Sequence, residues 1–113
     1  MERVEIVEVG PRDGLQGIGP FVPTDAKREM VDRLHAAGLK RIEIGSFVSA
    51  AALPQMRDTP DLLEHCRSVL PDLVPQVLVP SERRALAALA AGARCLAYVL
   101  SVSEPHKIGR AHV

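Results

Sequence analysis

Val4-Glu5-Ile6-Val7-Glu8-Val9-Gly10-Pro11-Arg12-Asp13-Gly14-Leu15-Gln16 is the stretch on which the reading of this chain turns. Val4 to Val9 is a β-branched run interleaved with glutamates, Gly10-Pro11 breaks it, and Arg12 and Asp13 follow side by side on a turn closed by Gly14. That pattern describes a strand delivering a cation and a carboxylate to its C-terminal end, which is where ligands bind in parallel α/β folds. Alternation puts Val4, Ile6 and Glu8 on one face and Glu5, Val7 and Val9 on the other. Neither face is wholly apolar, so at least one glutamate is expected to meet a polar partner, and Arg12 is the candidate.

Beyond this strand the chain alternates helical and extended signals. Gly17 to Pro23 reads as a Gly/Pro-rich loop of a size that can fold over a binding mouth. Thr24 reads as a helix N-cap with Asp25 in the first turn, and Ala26, Met30, Leu34 and Ala37 recur at helical spacing as a buried stripe. Gly38 closes that helix with Leu39 as its apolar companion. A short strand, Arg41 to Ile44, delivers Glu43, Gly45 and Ser46 to its end. Residues Asp61 to Val69 form a second helix, Leu73 to Val79 a third strand that is apolar apart from Gln76, and Ser81 caps a helix over Glu82 to Ala91 with Leu86, Leu89 and Ala90 on one side. Cys95 to Leu100 is a fourth strand, apolar enough for burial on both faces.

An internal repeat supports this order. Ala36-Ala37-Gly38-Leu39-Lys40-Arg41-Ile42 aligns with Ala90-Ala91-Gly92-Ala93-Arg94-Cys95-Leu96, each a helix end, a glycine, a basic residue and a strand start. Strands and helices joined in this way make right-handed βαβ units and a parallel sheet. The expected fold class is therefore α/β.

Composition narrows the function. Apolar residues make up 47% and charged residues 25% of 113 residues, as in a globular interior with a polar surface, and the formal net charge is zero. A balanced charge argues against nucleic acid or an anionic membrane as partner. No apolar run reaches the ~20 residues of a membrane span, and Met1-Glu2-Arg3 leads into a strand without a signal-peptide pattern, so the expected location is cytoplasmic. Cys66 and Cys95 are expected to be small buried hydrophobes rather than a zinc site or disulfide. His35 and His65 fall in helices and His106 and His112 near the end, with no His-x-His pair among them; structural roles are expected.

The unbroken Gly10-Pro11-Arg12-Asp13-Gly14-Leu15-Gln16 resembles the N-terminal signature of the 3-hydroxy-3-methylglutaryl-CoA lyase family. The resemblance continues through Ile42-Glu43-Ile44-Gly45-Ser46-Phe47-Val48-Ser49 and Leu53-Pro54-Gln55-Met56. It implies the N-terminal half of a (β/α)8 TIM barrel over residues 1–106, since a closed barrel needs about 250 residues. It also implies a retro-Claisen cleavage of a 3-hydroxyacyl-CoA, assisted by a divalent cation, Mg²⁺ or Mn²⁺. By match to the motif, Asp13 is a metal ligand and Arg12 stabilises the developing enolate oxygen. Glu43 assists proton transfer or positions Arg12, and Gln16 and Ser46 contact substrate.

Pro11 and Leu15 set the signature apart from the Thr-Leu-Arg-Asp-Gly-Glu-Gln type of the related synthases. Ala50-Ala51-Ala52 and Ser81 depart from the lyase pattern, which leaves acyl specificity open. The family's His-x-His pair, ligating Asn and catalytic Cys have no counterpart here, so the chain alone is expected to be inactive and the full-length protein a homo-oligomer. Two other readings stay open: a related aldol-type lyase or Claisen synthase acting on another acyl-CoA or 2-oxo acid, and a non-catalytic half-barrel that binds a partner. Ile108 to Val113 resembles the translation of a common sequencing adapter, so residues 107–113 are read as a non-native tail.

Overall fold

Four strands and three helices alternate along the chain in the computed structural model, which describes residues 3–99. The strands are β1 (Val7–Glu8), β2 (Arg41–Ser46), β3 (Val74–Val79) and β4 (Cys95–Tyr98), all parallel and in the spatial order β1-β2-β3-β4. The helices are α1 (Thr24–Ala36), α2 (Thr59–Val69) and α3 (Glu82–Ala90). Each helix links two neighbouring parallel strands, which is the repeating unit of an α/β barrel wall. The core lies between the sheet and these helices: Ile42 and Ile44 of β2 and Val77 and Val79 of β3 pack against Val31, Leu62, Leu63, Cys66 and Ala88.

The aligned helix ends have a common physical basis. Gly38 and Gly92 take φ of +103° and +100°, the left-handed region that only glycine enters cheaply. At the first, Gly38 N–H donates to His35 O (3.0 Å) and Leu39 N–H to Leu34 O (3.3 Å); at the second, Gly92 N–H donates to Leu89 O and Ala93 N–H to Ala88 O (both 3.0 Å). These are two Schellman motifs, each turning its helix end towards the next strand. Ser81 caps α3 as expected, its hydroxyl accepting from Arg84 N–H at 3.2 Å.

Several local expectations are corrected. The first strand pairs only over Val7–Glu8, and Arg12 is the partner of neither glutamate. Glu5 lies 3.0 Å from Arg41 Nε, an ion pair without the alignment of a hydrogen bond. Glu8 Oε1 accepts from Gly10 N–H at 3.0 Å. Thr24 is the first helical residue rather than the cap, and its hydroxyl donates to Asp58 Oδ2 (2.9 Å). On α1 the fully buried residues are Lys27 and Val31; Ala26 and Ala37 are exposed, and Met30 and Leu34 half-buried. The stripe is rotated because Lys27 turns inward to a buried carboxylate, Asp58, at 2.8 Å. On α3 the small side, Ala85 and Ala88, meets the sheet and leaves Leu86 and Leu89 largely exposed. α2 starts at Thr59, two residues earlier than expected, with Pro60 in its first turn, where a missing N–H costs nothing. β2 runs two residues further, to Ser46, and Leu73 precedes β3 as a buried core residue. Leu100, His106, His112 and the proposed boundary at residue 107 lie outside the described residues.

β2 carries the irregularity that shapes the site. Glu43 pairs with Gln76 and Gly45 with Val77, so Ile44 is an extra residue, a β-bulge. The bulge lets Ile44 and Gly45 both face the helices, and it brings Glu43 and Ser46, three positions apart, onto the opposite face. Gly45 packs on Thr59 so closely that a Cβ there would overlap the Thr59 hydroxyl. Gly45→Ala is therefore expected to destabilise the fold by about 1–3 kcal/mol, the usual cost of overpacking. Urea unfolding measures it; a midpoint equal to wild type would contradict this packing.

Candidate active site at the strand ends

The chain leaves β1 through one π-helical turn, Gly10–Gly14, in which Arg12 and Asp13 N–H both donate to Val9 O (3.1 and 2.7 Å). Such turns are rare and concentrate at functional sites. Pro11 is buried beneath it and needs no N–H partner at the first turn. The turn swings Arg12 over the C-terminal half of β2. Arg12 Nε donates to Glu43 Oε1 at 2.6 Å, with the carboxylate only 4% exposed and the guanidinium 18%. Arg12 Nη1 lies 3.4 Å from Asp13 Oδ1, and the Asp13 carboxylate is 69% exposed. One arginine thus bridges a buried carboxylate below and an accessible one above.

Ser46, at the end of β2, donates its hydroxyl to Gln16 Oε1 at 3.1 Å. All the residues singled out in the sequence (Arg12, Asp13, Gln16, Glu43 and Ser46) therefore sit around the C-terminal ends of β1 and β2, joined as a trio, Glu43–Arg12–Asp13, and a pair, Gln16–Ser46. Two further residues belong with them. Gln76 stands opposite Glu43 in the register and donates to its second oxygen. Cys95, opposite Gln76, has its sulfur 3.6 Å from Gln76 Oε1 and 3.6 Å from Arg41 Nη1. Cys95 is thus half-buried in a polar row, not one of the core hydrophobes. The sequence held one signal for Gln76, as the only polar side chain of its strand.

The loop between this turn and α1 is pinned rather than loose. Gln55 accepts from Val22 N–H (2.8 Å) and donates to Ile18 O (3.1 Å) and Pro20 O (2.8 Å). Phe21 is held between Lys27 and Arg57, 4.4 and 3.9 Å from its ring centre, as cation–π pairs. The Leu53-Pro54-Gln55-Met56 run therefore serves the site indirectly, by fixing the loop that follows Gln16.

Away from the strand ends, the two described histidines each meet a carboxylate. His65 bridges α2 to Asp32 of α1 at 2.7 Å, and His35 meets Asp72 at 2.9 Å. The His35 hydrogen bond holds the exposed Asp72 carboxyl below its usual range. That contact acts above the ordinary carboxylate pKa and fades as pH falls through the lowered value. Cys66, as expected, is a buried core thiol; burial, aided by Asp32, pushes it up from 9.0 to about 12. Its contribution is complete below pH 9.0 and is lost as pH rises towards about 12. Iodoacetamide at pH 8 is expected to leave Cys66 unmodified in the folded protein and to label it in denaturant; peptide mass mapping reads the difference. Rapid native labelling would contradict its burial.

Among the described residues no group of three or more His, Cys, Asp or Glu side chains is placed to hold a metal ion, and no helix is long and apolar enough to cross a membrane.

Comparison with known proteins places this geometry. The HMGL-like family model matches residues 3–111. The mitochondrial hydroxymethylglutaryl-CoA lyase of Rattus norvegicus is 44% identical over 103 residues, covering 91% of this chain and 31% of that protein. The Arabidopsis thaliana enzyme of the same name is 43% identical over 101 residues, covering 89% of this chain and 21% of its own length, and a cytoplasmic form from Mus musculus matches at 44%. The HMG-CoA lyase structure from Brucella melitensis superimposes with a TM-score of 0.85 at 38% identity, over 100% of this chain and 40% of that one. One from Acinetobacter baumannii, in complex with coenzyme A and 3-methylmalate, gives 0.83 at 37% identity, over 96% of this chain and 35% of that one. The chain thus spans about a fifth to a third of the curated relatives' length, and its sheet corresponds to the N-terminal part of a TIM barrel. On the family match, the sheet order and the identity along nearly its whole length, this chain belongs to the HMGL-like family.

Proposed function

We propose that this chain supplies the first half of the active site of a 3-hydroxy-3-methylglutaryl-CoA lyase, and that the whole barrel releases acetyl-CoA and acetoacetate. The observation that carries the reading is the Arg12–Glu43 pair, 2.6 Å apart at the strand ends, with the exposed Asp13 carboxylate alongside. In this reaction the C3 hydroxyl gives up its proton, the C2–C3 bond breaks, and its electron pair moves onto the thioester as an enolate. A proton returned to C2 then completes acetyl-CoA. Charge develops on the thioester oxygen as the bond breaks, so a fixed guanidinium at that position acts on the transition state more than on the substrate. Arg12 fills this role. Glu43 holds Nε and so fixes the direction of the remaining N–H groups, and Gln16 and Ser46 hold substrate oxygens.

The donor chemistry also fits a hard divalent cation. Asp13 offers an exposed carboxylate oxygen, of the kind Mg²⁺ or Mn²⁺ prefers, and would hold the ion together with ligands from other parts of the barrel. Bound there, the ion supplies Lewis-acid polarisation of the substrate's hydroxyl and carbonyl oxygens. One carboxylate binds such an ion weakly, so the chain by itself is expected to be inactive. A cytoplasmic homo-oligomer belongs to the same reading.

Incubation of the whole protein with hydroxymethylglutaryl-CoA and Mg²⁺ tests it. Acetoacetate should appear, and should be abolished by Asp13→Asn. Turnover of a different acyl-CoA or 2-oxo acid, with none of this thioester, would shift the assignment to an aldol lyase or Claisen synthase.

A further inference from the structure

We infer that Gln76 is a positioning residue that sets the direction of Arg12 through Glu43. This rests on the role of Arg12 proposed above. Glu43 is 3% exposed, and a carboxylate taken that far out of water needs donors on both oxygens. Arg12 Nε takes Oε1 and Gln76 Nε2 takes Oε2. With one oxygen free, the carboxylate could turn about its terminal bond and carry Arg12 with it. With both held, its plane is fixed.

The row beyond Gln76 orients its amide. Cys95 donates its S–H to Gln76 Oε1 and accepts from Arg41 Nη1, each at 3.6 Å. Donation therefore runs one way along the sheet, from Arg41 to Cys95 to Gln76 to Glu43, with Arg12 donating from the other end. The reversed amide would set its carbonyl oxygen against the carboxylate and its N–H₂ against a sulfur that already accepts from Arg41 Nη1. Backbone register puts Glu43, Gln76 and Cys95 directly opposite one another on three adjacent strands. No other polar side chain is present on β3.

The test uses the whole protein and two variants. Gln76→Met keeps length and volume but removes the donor; Gln76→His keeps a donor N–H. For Gln76→Met, kcat is expected to fall about 10- to 100-fold, the scale of a misplacement of about 1 Å, with KM nearly unchanged. The Arg12 Nε–H resonance, followed by NMR, should shift and exchange faster with solvent. Gln76→His should retain that resonance and most of kcat. In a Glu43→Gln background, Gln76→Met should have little further effect, as expected of residues acting in series.

Gln76→Met with wild-type kcat and an unmoved Nε–H resonance would overturn the inference, as would a Gln76→His variant equally impaired. Loss of activity in Arg12→Gln but not Gln76→Met would remove this inference alone. If the wild-type protein releases no acetoacetate, the proposed activity falls, and the Nε–H resonance still decides whether Gln76 sets Arg12.

Discussion

Replacing Arg12 by Gln is expected to lower kcat of the whole enzyme by about 10²–10³, the range found when one preorganised donor to a developing oxyanion is removed. On the proposed reaction, the effect should fall on kcat rather than KM, because the charge assigned to Arg12 there is small in the bound substrate and grows only as the carbon–carbon bond breaks. Arg12→Lys should be nearly as damaging. A guanidinium can donate Nε to Glu43 while its other nitrogens face substrate, whereas an ammonium is a point charge that cannot serve both directions from a fixed geometry. A second consequence separates this from simple loss of a substrate contact. Without the guanidinium, Glu43, 3% exposed in the wild type, keeps only Gln76 as a side-chain donor, so Arg12→Gln should also lower the melting temperature. Arg12→Gln combined with Glu43→Gln should recover much of that stability and none of the activity. Steady-state release of acetoacetate and a thermal melt read the two effects separately. An Arg12→Gln enzyme within a few-fold of wild-type kcat would remove Arg12 from the chemistry.

The parts of this architecture that were legible in the sequence are those set by local chemistry. Gly38 and Gly92 announce themselves because a Schellman motif is complete within a few residues, and their repetition is what revealed parallel βα units. The Arg12-Asp13 pair was legible for the same reason: the turn presenting it is written in Gly10-Pro11 and Gly14. What stayed hidden depends on partners distant in the chain. Glu43 was assigned to the site, but the bulge at Ile44 that puts Ser46 on its face is completed by pairing with β3, and within β2 its signal is the isolated Gly45. Gln76 and Cys95 enter the site only through register, which a lone strand does not specify. The apolar pattern of α3 pointed to Leu86 and Leu89, whereas contact with the sheet is made by alanines small enough to let helix and strand approach.

Lys27 is the clearest case of a long-range partner overriding local pattern, and its removal should have the largest effect on stability. The side chain is 1% exposed and Asp58 is 5% exposed, with Nζ 2.8 Å from Oδ1. Nζ also donates to Gln55 O and lies 4.4 Å from the centre of the Phe21 ring, so the ammonium is met on every side by an acceptor or a π face. Such a pair adds little net stability over an apolar isostere, because desolvation of both charges offsets their attraction. Breaking it is different. Lys27→Met leaves Asp58 buried with only the Thr24 hydroxyl as a side-chain donor, and is expected to cost about 3–5 kcal/mol. Asp58→Leu should cost a similar amount by stranding the ammonium. The double variant should regain most of the loss, which a urea-denaturation cycle would measure as a large coupling energy. The damage should also reach the site: Lys27 anchors the Gln55 segment, and Gln55 holds the loop after Gln16 through Val22, Ile18 and Pro20. Limited proteolysis should therefore cut Lys27→Met between residues 17 and 23 under conditions in which the wild type is resistant. Simple additivity in the cycle, or a Lys27→Met variant destabilised by less than about 1 kcal/mol, would mean that the pair is open to water and that the loop is held by other contacts.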